Sequence, residues 1–187
     1  MKKQFLLKTK QYKAALEKRS FHLLNATQFL GAFNDNVFKS LIIYFLISIK
    51  GVEHTNTILS LAGSLFVIPF LLFSSAAGVM ADKLSKKTVI AATKLAEIVV
   101  MALSIAAIHF SSEFACFFLL FAMGAQSAAF GPAKYGIISE LVSPKKVSEA
   151  NGSITAATYL AIILGTVTGS LLTQATNGSF VLIAIFC

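Results

Sequence analysis

The amino-acid sequence predicts an all-α integral membrane protein, and three observations support this prediction. The chain of 187 residues is 56% hydrophobic and only 13% charged, against about 25% charged residues in ordinary soluble domains. Its mean hydropathy is +0.77. Long apolar runs recur along the chain, separated by short polar segments. Such runs are typical of helices that cross a bilayer, since its hydrocarbon core needs about 20 apolar residues.

Five complete membrane helices and a shorter sixth are predicted from these runs. A basic segment, residues 1–20, precedes them and is expected to be either a short surface helix on anionic lipid or a solvated tail. The membrane bundle then occupies residues 21–187. Gly131-Pro132 is expected to break or kink the fourth helix, because proline removes one backbone hydrogen bond. The predicted helices cover about 21–49, 57–80, 88–110, 114–140, 149–173 and 178–187.

The sixth helix is incomplete in the sequence. It has about ten residues, which form roughly 15 Å of helix, whereas the hydrocarbon core is about 30 Å thick. We therefore expect the sequence to be a fragment that supplies five spans and the start of a sixth.

Basic residues predict the orientation of the chain. Seven of them precede Phe21. The loop after helix 2 carries three, and the loop after helix 4 carries Lys145 and Lys146, whereas the opposite loops carry only Lys50. The excess of lysine and arginine in alternate loops predicts a cytoplasmic N-terminus. This distribution also explains the net charge of +8, so a nucleic-acid partner is not predicted.

Polar side chains interrupt the first membrane helix. Asp35 lies near its centre, about 20 Å from either end, where a carboxylate costs on the order of 3 kcal/mol. At about 100° per residue most of these polar side chains share one face, so they are predicted to line a transport pathway. An alternative is that Asp35 and Lys39, one turn apart, form a structural pair that neutralises itself. The predicted pathway residues on this helix are Asn25, Gln28, Asp35, Asn36 and Lys39.

The loop between helices 2 and 3 resembles a signature of the major facilitator superfamily: a glycine, an acid four residues later, and clustered basic residues. We expect Gly78 to allow close helix approach and Asp82 to cap the next helix or pair with a neighbouring cation. In that family the motif contributes to a latch that stabilises one access state. An ordinary basic cytoplasmic loop is the alternative. The residues of the motif are Gly78, Asp82, Lys83, Lys86 and Lys87.

Further charged residues lie in helices 3 and 4. Lys94 and Glu97, three residues apart, are predicted to form a structural ion pair. Lys134 follows Gly131-Pro132 and is a candidate ligand for an anionic substrate group. Alternatively, its side chain extends to the cytoplasmic headgroups. The two cysteines and three histidines have no metal-ligand spacing, and no nucleophile, phosphate loop or cofactor motif is present. We therefore predict no enzyme activity, metal or cofactor within these residues.

Together these motifs resemble bacterial lysophospholipid transporters of the major facilitator superfamily. They are especially similar to the transporter domain fused ahead of acyltransferase and acyl–acyl-carrier-protein synthetase domains. The resemblance covers most of residues 22–172. It rests on residues 27–39, 94–98, 130–137, 150–152 and 164–166.

The resemblance implies the first six-helix half of a twelve-helix fold in the bacterial inner membrane. Family members move lysophospholipids, notably lysophosphatidylethanolamine, to the inner leaflet for reacylation. The implied partners are membrane lipids, the missing C-terminal half and an acyltransferase domain or protein. Two alternatives stay open: a proton-coupled exporter of another solute, with Asp35 as the protonated group, and a membrane anchor for an acyltransferase that transports nothing.

Overall fold

The computed structural model describes residues 2–176 and 178–187, apart from the side chains of residues 2–18 and 186. All regular elements in this part of the chain are helical. Five of the helices are long and apolar enough to cross a membrane, so this is a multi-pass membrane protein. The six α-helices are α1 (Lys2–Lys50), α2 (Thr55–Lys83), α3 (Lys86–His109), α4 (Glu113–Leu141), α5 (Val147–Ala175) and α6 (Phe180–Phe186).

Helix α1 does not begin at the predicted boundary near residue 20. It runs from Lys2 to Lys50 without interruption. Residues 2–20 contain no glycine or proline and are rich in lysine, leucine and alanine, which have high helix propensity. The apolar span within α1 covers Arg19–Lys50. The side chains of residues 2–18 would decide between a surface helix and a solvated tail. They lie outside the described residues.

The connections are shorter than their polar sequences suggest. Only Leu84 and Ser85 separate α2 from α3, because charged residues on both sides continue the helices. The last helix begins at Phe180 rather than at Gly178. Gly178 has a φ of 76°, a left-handed backbone conformation that glycine adopts at low cost and that a helix does not contain.

The expected break in α4 at Gly131-Pro132 is absent. The helix continues from Glu113 to Leu141 with Pro132 inside it. Proline removes a single backbone hydrogen bond, and neighbouring helices in membrane proteins compensate for such a loss. Because α4 packs extensively against both α2 and α3, this one missing bond does not end the helix.

Glycines bring the helices of the bundle into close contact. An ideal Cβ at Gly165 of α5 would lie 2.5 Å from the carbonyl oxygen of Phe33 on α1, and one at Gly169 would lie 2.7 Å from Cβ of Ser40. On α4, a Cβ at Gly124 would collide with the carbonyl oxygen of Phe66 on α2. Backbones in membrane bundles approach this closely where small residues allow it. The α1–α5 and α2–α4 pairs accordingly form the most extensive helix contacts.

Candidate functional site

A cavity of about 540 Å³ lies among α1, α2, α4 and α5, with one side chain contributed by α3. It combines polar groups with aromatic walls, as ligand sites commonly do. Its aromatic lining consists of Phe66, Phe70, Phe130 and Tyr135. Its polar lining consists of Gln28, Asp35, Asn36, Ser74, Lys94, Gln126, Ser127, Lys134 and Thr158.

Asp35 lies in this lining and is only 8% exposed. The hydroxyl of Ser127 on α4 donates a hydrogen bond of 2.7 Å to Oδ2 of Asp35. Oδ1 of Asp35 is buried without a hydrogen-bond partner among the described residues. The amide of Gln126 donates a 2.9 Å bond to the same hydroxyl. A buried carboxylate is thus held by a polar chain from α4, with one oxygen left for a further donor.

The structural pair between Asp35 and Lys39, which was the alternative to a pathway role, is not formed in the structure. The ammonium of Lys39 donates a 3.1 Å hydrogen bond to Oδ1 of Asn36 and lies 5.4 Å from the ring centre of Phe66. No ion pair joins Lys39 to Asp35 in the described part of the chain. Asn36 lines the cavity, whereas Lys39 does not. Each charged group has a nearer partner instead, because Lys39 bonds to Asn36 and Asp35 accepts a bond from Ser127.

The N-terminal part of the predicted polar face contacts α5. The Asn25 amide donates a 2.9 Å hydrogen bond to Ser153, and the Gln28 amide donates one of 2.9 Å to Thr158. Gln28 lines the cavity together with Thr158, whereas Asn25 does not. Polar side chains between membrane helices commonly form such bonds. The single stripe expected on α1 is therefore divided between an interhelical contact and the cavity.

Lys134 lies in the cavity lining and is 7% exposed. Its ammonium lies 4.5 Å from the ring centre of Tyr135 and 5.9 Å from that of Phe130. It makes no ion pair within residues 19–176. This buried position differs from the alternative in which the side chain extends to the headgroups. Aromatic faces attract a cation but leave its hydrogen-bond donors free for a ligand.

Lys94 and Glu97 form an ion pair of 2.5 Å on α3. The amide of Asn34 on α1 lies 3.4 Å from the other carboxylate oxygen of Glu97. Unlike Glu97, Lys94 also lines the large cavity, and its ammonium lies 5.0 Å from the ring centre of Phe130. The pair therefore has a position at the cavity that its spacing in the sequence does not indicate.

The loop motif makes different contacts from those expected. A Cβ at Gly78 would meet nothing within 4 Å among the described residues, so the expected close helix approach is not made within this part of the chain. The side chain of Asp82 is exposed, and Ser85 rather than Asp82 precedes α3 as its cap residue. Instead, Lys86 forms a 2.7 Å ion pair with Glu140 at the end of α4. Lys83 and Lys87 are exposed.

Four polar residues of the cavity, Ser74, Gln126, Ser127 and Thr158, were not singled out from the sequence. Gln126 and Ser127 form the only adjacent pair of uncharged polar residues in the middle of α4. That interruption of an apolar run is the signal that could have found them. Thr158 lies in a helix with many threonines and serines, so the sequence offers nothing to distinguish it.

Comparisons with known proteins agree with this architecture. The family model described as Major Facilitator Superfamily matches residues 24–187. The protein named lysophospholipid transporter LplT from Citrobacter koseri is 34% identical over 147 residues, covering 79% of this chain and 35% of that protein. LplT from Salmonella enteritidis is 34% identical over 148 residues, covering 78% and 34%. The chain thus spans about a third of the length of these curated relatives. No solved structure matches it.

Proposed function

The chain belongs to the major facilitator superfamily, and we propose that it is the N-terminal half of a lysophospholipid transporter. The proposed activity moves a lysophospholipid such as lysophosphatidylethanolamine across the bacterial inner membrane, where it is reacylated. The relatives named lysophospholipid transporter support this assignment through 34% identity over most of the chain.

The observation that carries the proposal is a cavity with buried charges of both signs beside aromatic walls. A zwitterionic headgroup has a cationic amine and an anionic phosphate. Asp35, with its unpartnered oxygen, is the proposed partner of the amine, and Lys134 is the proposed partner of the phosphate. Phe66 and Phe70 supply apolar surface for the acyl chain. Gln28 and Asn36 complete the proposed lining. Lys39 supports it through its hydrogen bond to Asn36, and Asn25 through its hydrogen bond to Ser153 on α5.

The working transporter is proposed to contain a second six-helix half. Superfamily members bind substrate between two such halves, which rock against each other to expose the site to either side of the membrane. We propose that the face of the cavity not covered by this chain meets that second half. An acyltransferase domain or protein is the proposed recipient of the transported lysophospholipid.

Asp35→Asn in the complete protein tests this function. The substitution keeps the size of the side chain but removes its charge, so uptake of lysophosphatidylethanolamine by inverted or right-side-out membrane vesicles should be abolished. Glu149→Gln is the matched control, because Glu149 is an exposed carboxylate at the start of α5. Both variants should remain in the membrane at the level of the unchanged protein. Full transport by Asp35→Asn would refute the assignment.

A proton-coupled exporter of another solute is the second candidate, and the unpartnered oxygen of Asp35 favours it. Vesicles that take up a soluble cargo in response to a pH gradient, but not lysolipid, would support this candidate. A membrane anchor without transport is less consistent with the site, because an anchor gains nothing from Asp35 and Lys134 buried in one cavity.

A further inference from the structure

Lys94 is positioned by three helices and not by its ion pair alone. Glu97, on the same helix, accepts its hydrogen bond, and Phe130 on α4 lies below its ammonium. On α1, a Cβ at Gly31 would collide with Nζ of Lys94. An ion pair that involved only residues of α3 would not require a small residue on α1. The missing side chain at Gly31 lets the ammonium reach the cavity.

Lys134 approaches the same aromatic ring from α4. The ring centre of Phe130 lies 5.0 Å from Nζ of Lys94 and 5.9 Å from Nζ of Lys134. Two ammonium groups are therefore gathered at one part of the cavity. Glu97 neutralises the first, and no acid pairs with the second in the part of the chain that the structure describes. A buried cation without an acceptor is costly unless a ligand supplies one.

We propose that Lys94 and Lys134 together bind a phosphate group, with Glu97 and Gly31 as positioning residues for Lys94. This inference rests on the proposed function in taking the cavity as the ligand site. A phosphate ester offers several acceptor oxygens, and lysine ammonium groups bind phosphate as point charges. The phosphate can belong to a lipid headgroup or to a free phosphate ester, since the site recognises chemistry that both share.

Glu97 competes with the ligand for Lys94. A second cavity of about 400 Å³ lies on the α3–α6 side and is lined by Glu97, Asn34 and Lys94. Lys94 is thus the side chain shared by both cavities. Phosphate in the larger cavity draws the ammonium away from Glu97, while the carboxylate keeps the amide of Asn34 as a partner.

Binding to the purified complete protein in neutral detergent tests the inference. Three probes are compared by calorimetry: lysophosphatidylethanolamine, a monoacylglycerol with the same acyl chain, and soluble glycerophosphoethanolamine. The unchanged protein should prefer the lysophospholipid over the monoacylglycerol. Lys94→Gln and Lys134→Gln should each reduce this preference about tenfold, because each removes a charge-assisted hydrogen bond. Lys94→Arg should retain most of it.

Glu97→Gln separates positioning from plain structural support. Glutamine still accepts a hydrogen bond from Lys94 but no longer competes by charge, so phosphate affinity should rise severalfold. A purely structural pair would leave that affinity unchanged. The ion pair between Lys50 and Glu113, with a distance of 2.6 Å between its charged atoms, lies away from the cavity and is the matched control. Lys50→Gln should therefore not alter binding. Melting temperatures of all variants are measured alongside to detect loss of folding.

The outcomes separate this inference from the proposed function. If lysophospholipid binds without dependence on Lys94, the phosphate site is wrong and the lysolipid assignment survives. If glycerophosphoethanolamine binds through Lys94 and Lys134 but lysophospholipid does not, the phosphate site stands and the lysolipid assignment falls. If no phosphate compound binds, both are overturned.

Discussion

Ser127 on α4 donates a 2.7 Å hydrogen bond to Asp35 on α1, so the buried carboxylate of one helix is held by the hydroxyl of another. This bond lies in the interior of the bundle, whereas the 2.6 Å ion pair between Lys50 and Glu113 joins the same two helices at their ends. The Ser127 bond fixes the side chain of Asp35 and leaves Oδ1 without a partner. The bond therefore contributes both to packing and to the chemistry proposed for the cavity.

Ser127→Ala should destabilise the bundle by about 1–2 kcal/mol, because both oxygens of Asp35 would then lack a donor. The free energy of unfolding is measured by circular dichroism during detergent denaturation. Ser139→Ala is the control, since Ser139 is exposed and its hydroxyl bonds to the carbonyl of Gly136 on its own helix. Equal effects of the two substitutions would contradict the role of the Ser127 bond.

Gly165→Ala should destabilise the protein by about 1–3 kcal/mol, the usual cost of overpacking. Its new Cβ would lie 2.5 Å from the carbonyl oxygen of Phe33, a backbone atom that cannot move away alone. Gly152→Ala on the same helix is the control, because a Cβ there meets nothing within 4 Å. That control should be neutral or stabilise by up to about 1 kcal/mol. The same unfolding measurement decides between these outcomes.

Gly31→Ala should weaken phosphate binding but should have little effect on the free energy of unfolding. Its Cβ collides with the end of a flexible side chain, the ammonium of Lys94, which can move at little cost but then leaves the cavity. Gly63→Ala, where a Cβ meets nothing, is the control. In the double variant Gly31→Ala/Lys94→Gln, binding should be no weaker than with Lys94→Gln alone, because both changes remove one interaction. Additive losses would refute this coupling.

Cysteine labelling tests the predicted orientation. Val52→Cys, in the connection after α1, should react with a membrane-impermeant maleimide added to intact cells, and Lys145→Cys should not. Both positions are exposed, so reactivity reports the side of the membrane. Cys187 is replaced by serine in both variants, and Cys116 is fully buried. The reverse pattern would place the N-terminus outside the cytoplasm.

The sequence was sufficient to predict the membrane spans and the buried acid of α1. Hydropathy depends on composition along one helix, and helical phase assigns a direction to Asp35. Neither hydropathy nor helical phase identifies the neighbouring helix that the side chain of Asp35 contacts. Ser127 and Thr158 are unremarkable as residues, and only the packing of α4 and α5 against α1 makes them partners of Asp35 and Gln28.

Spacing along one helix was also an incomplete guide to pairing. Asp35 and Lys39 are four residues apart and were expected as one alternative to pair, yet Lys39 bonds to Asn36. Lys94 and Glu97, three residues apart, do pair. Their contact with the cavity depends on Gly31 and Phe130 from two other helices. Contacts of this kind are set by tertiary packing, to which local spacing contributes little.

The glycine contacts divide the bundle into two tightly joined helix pairs, α1 with α5 and α2 with α4. Cavity residues come from both pairs: Gln28 and Thr158 from the first, Phe66 and Ser127 from the second. A molecule bound in the cavity would therefore contact both helix pairs. We expect the cross-section of that molecule to set how far the two pairs stand apart, so that the bundle responds to the width of a bound molecule as well as to its charge.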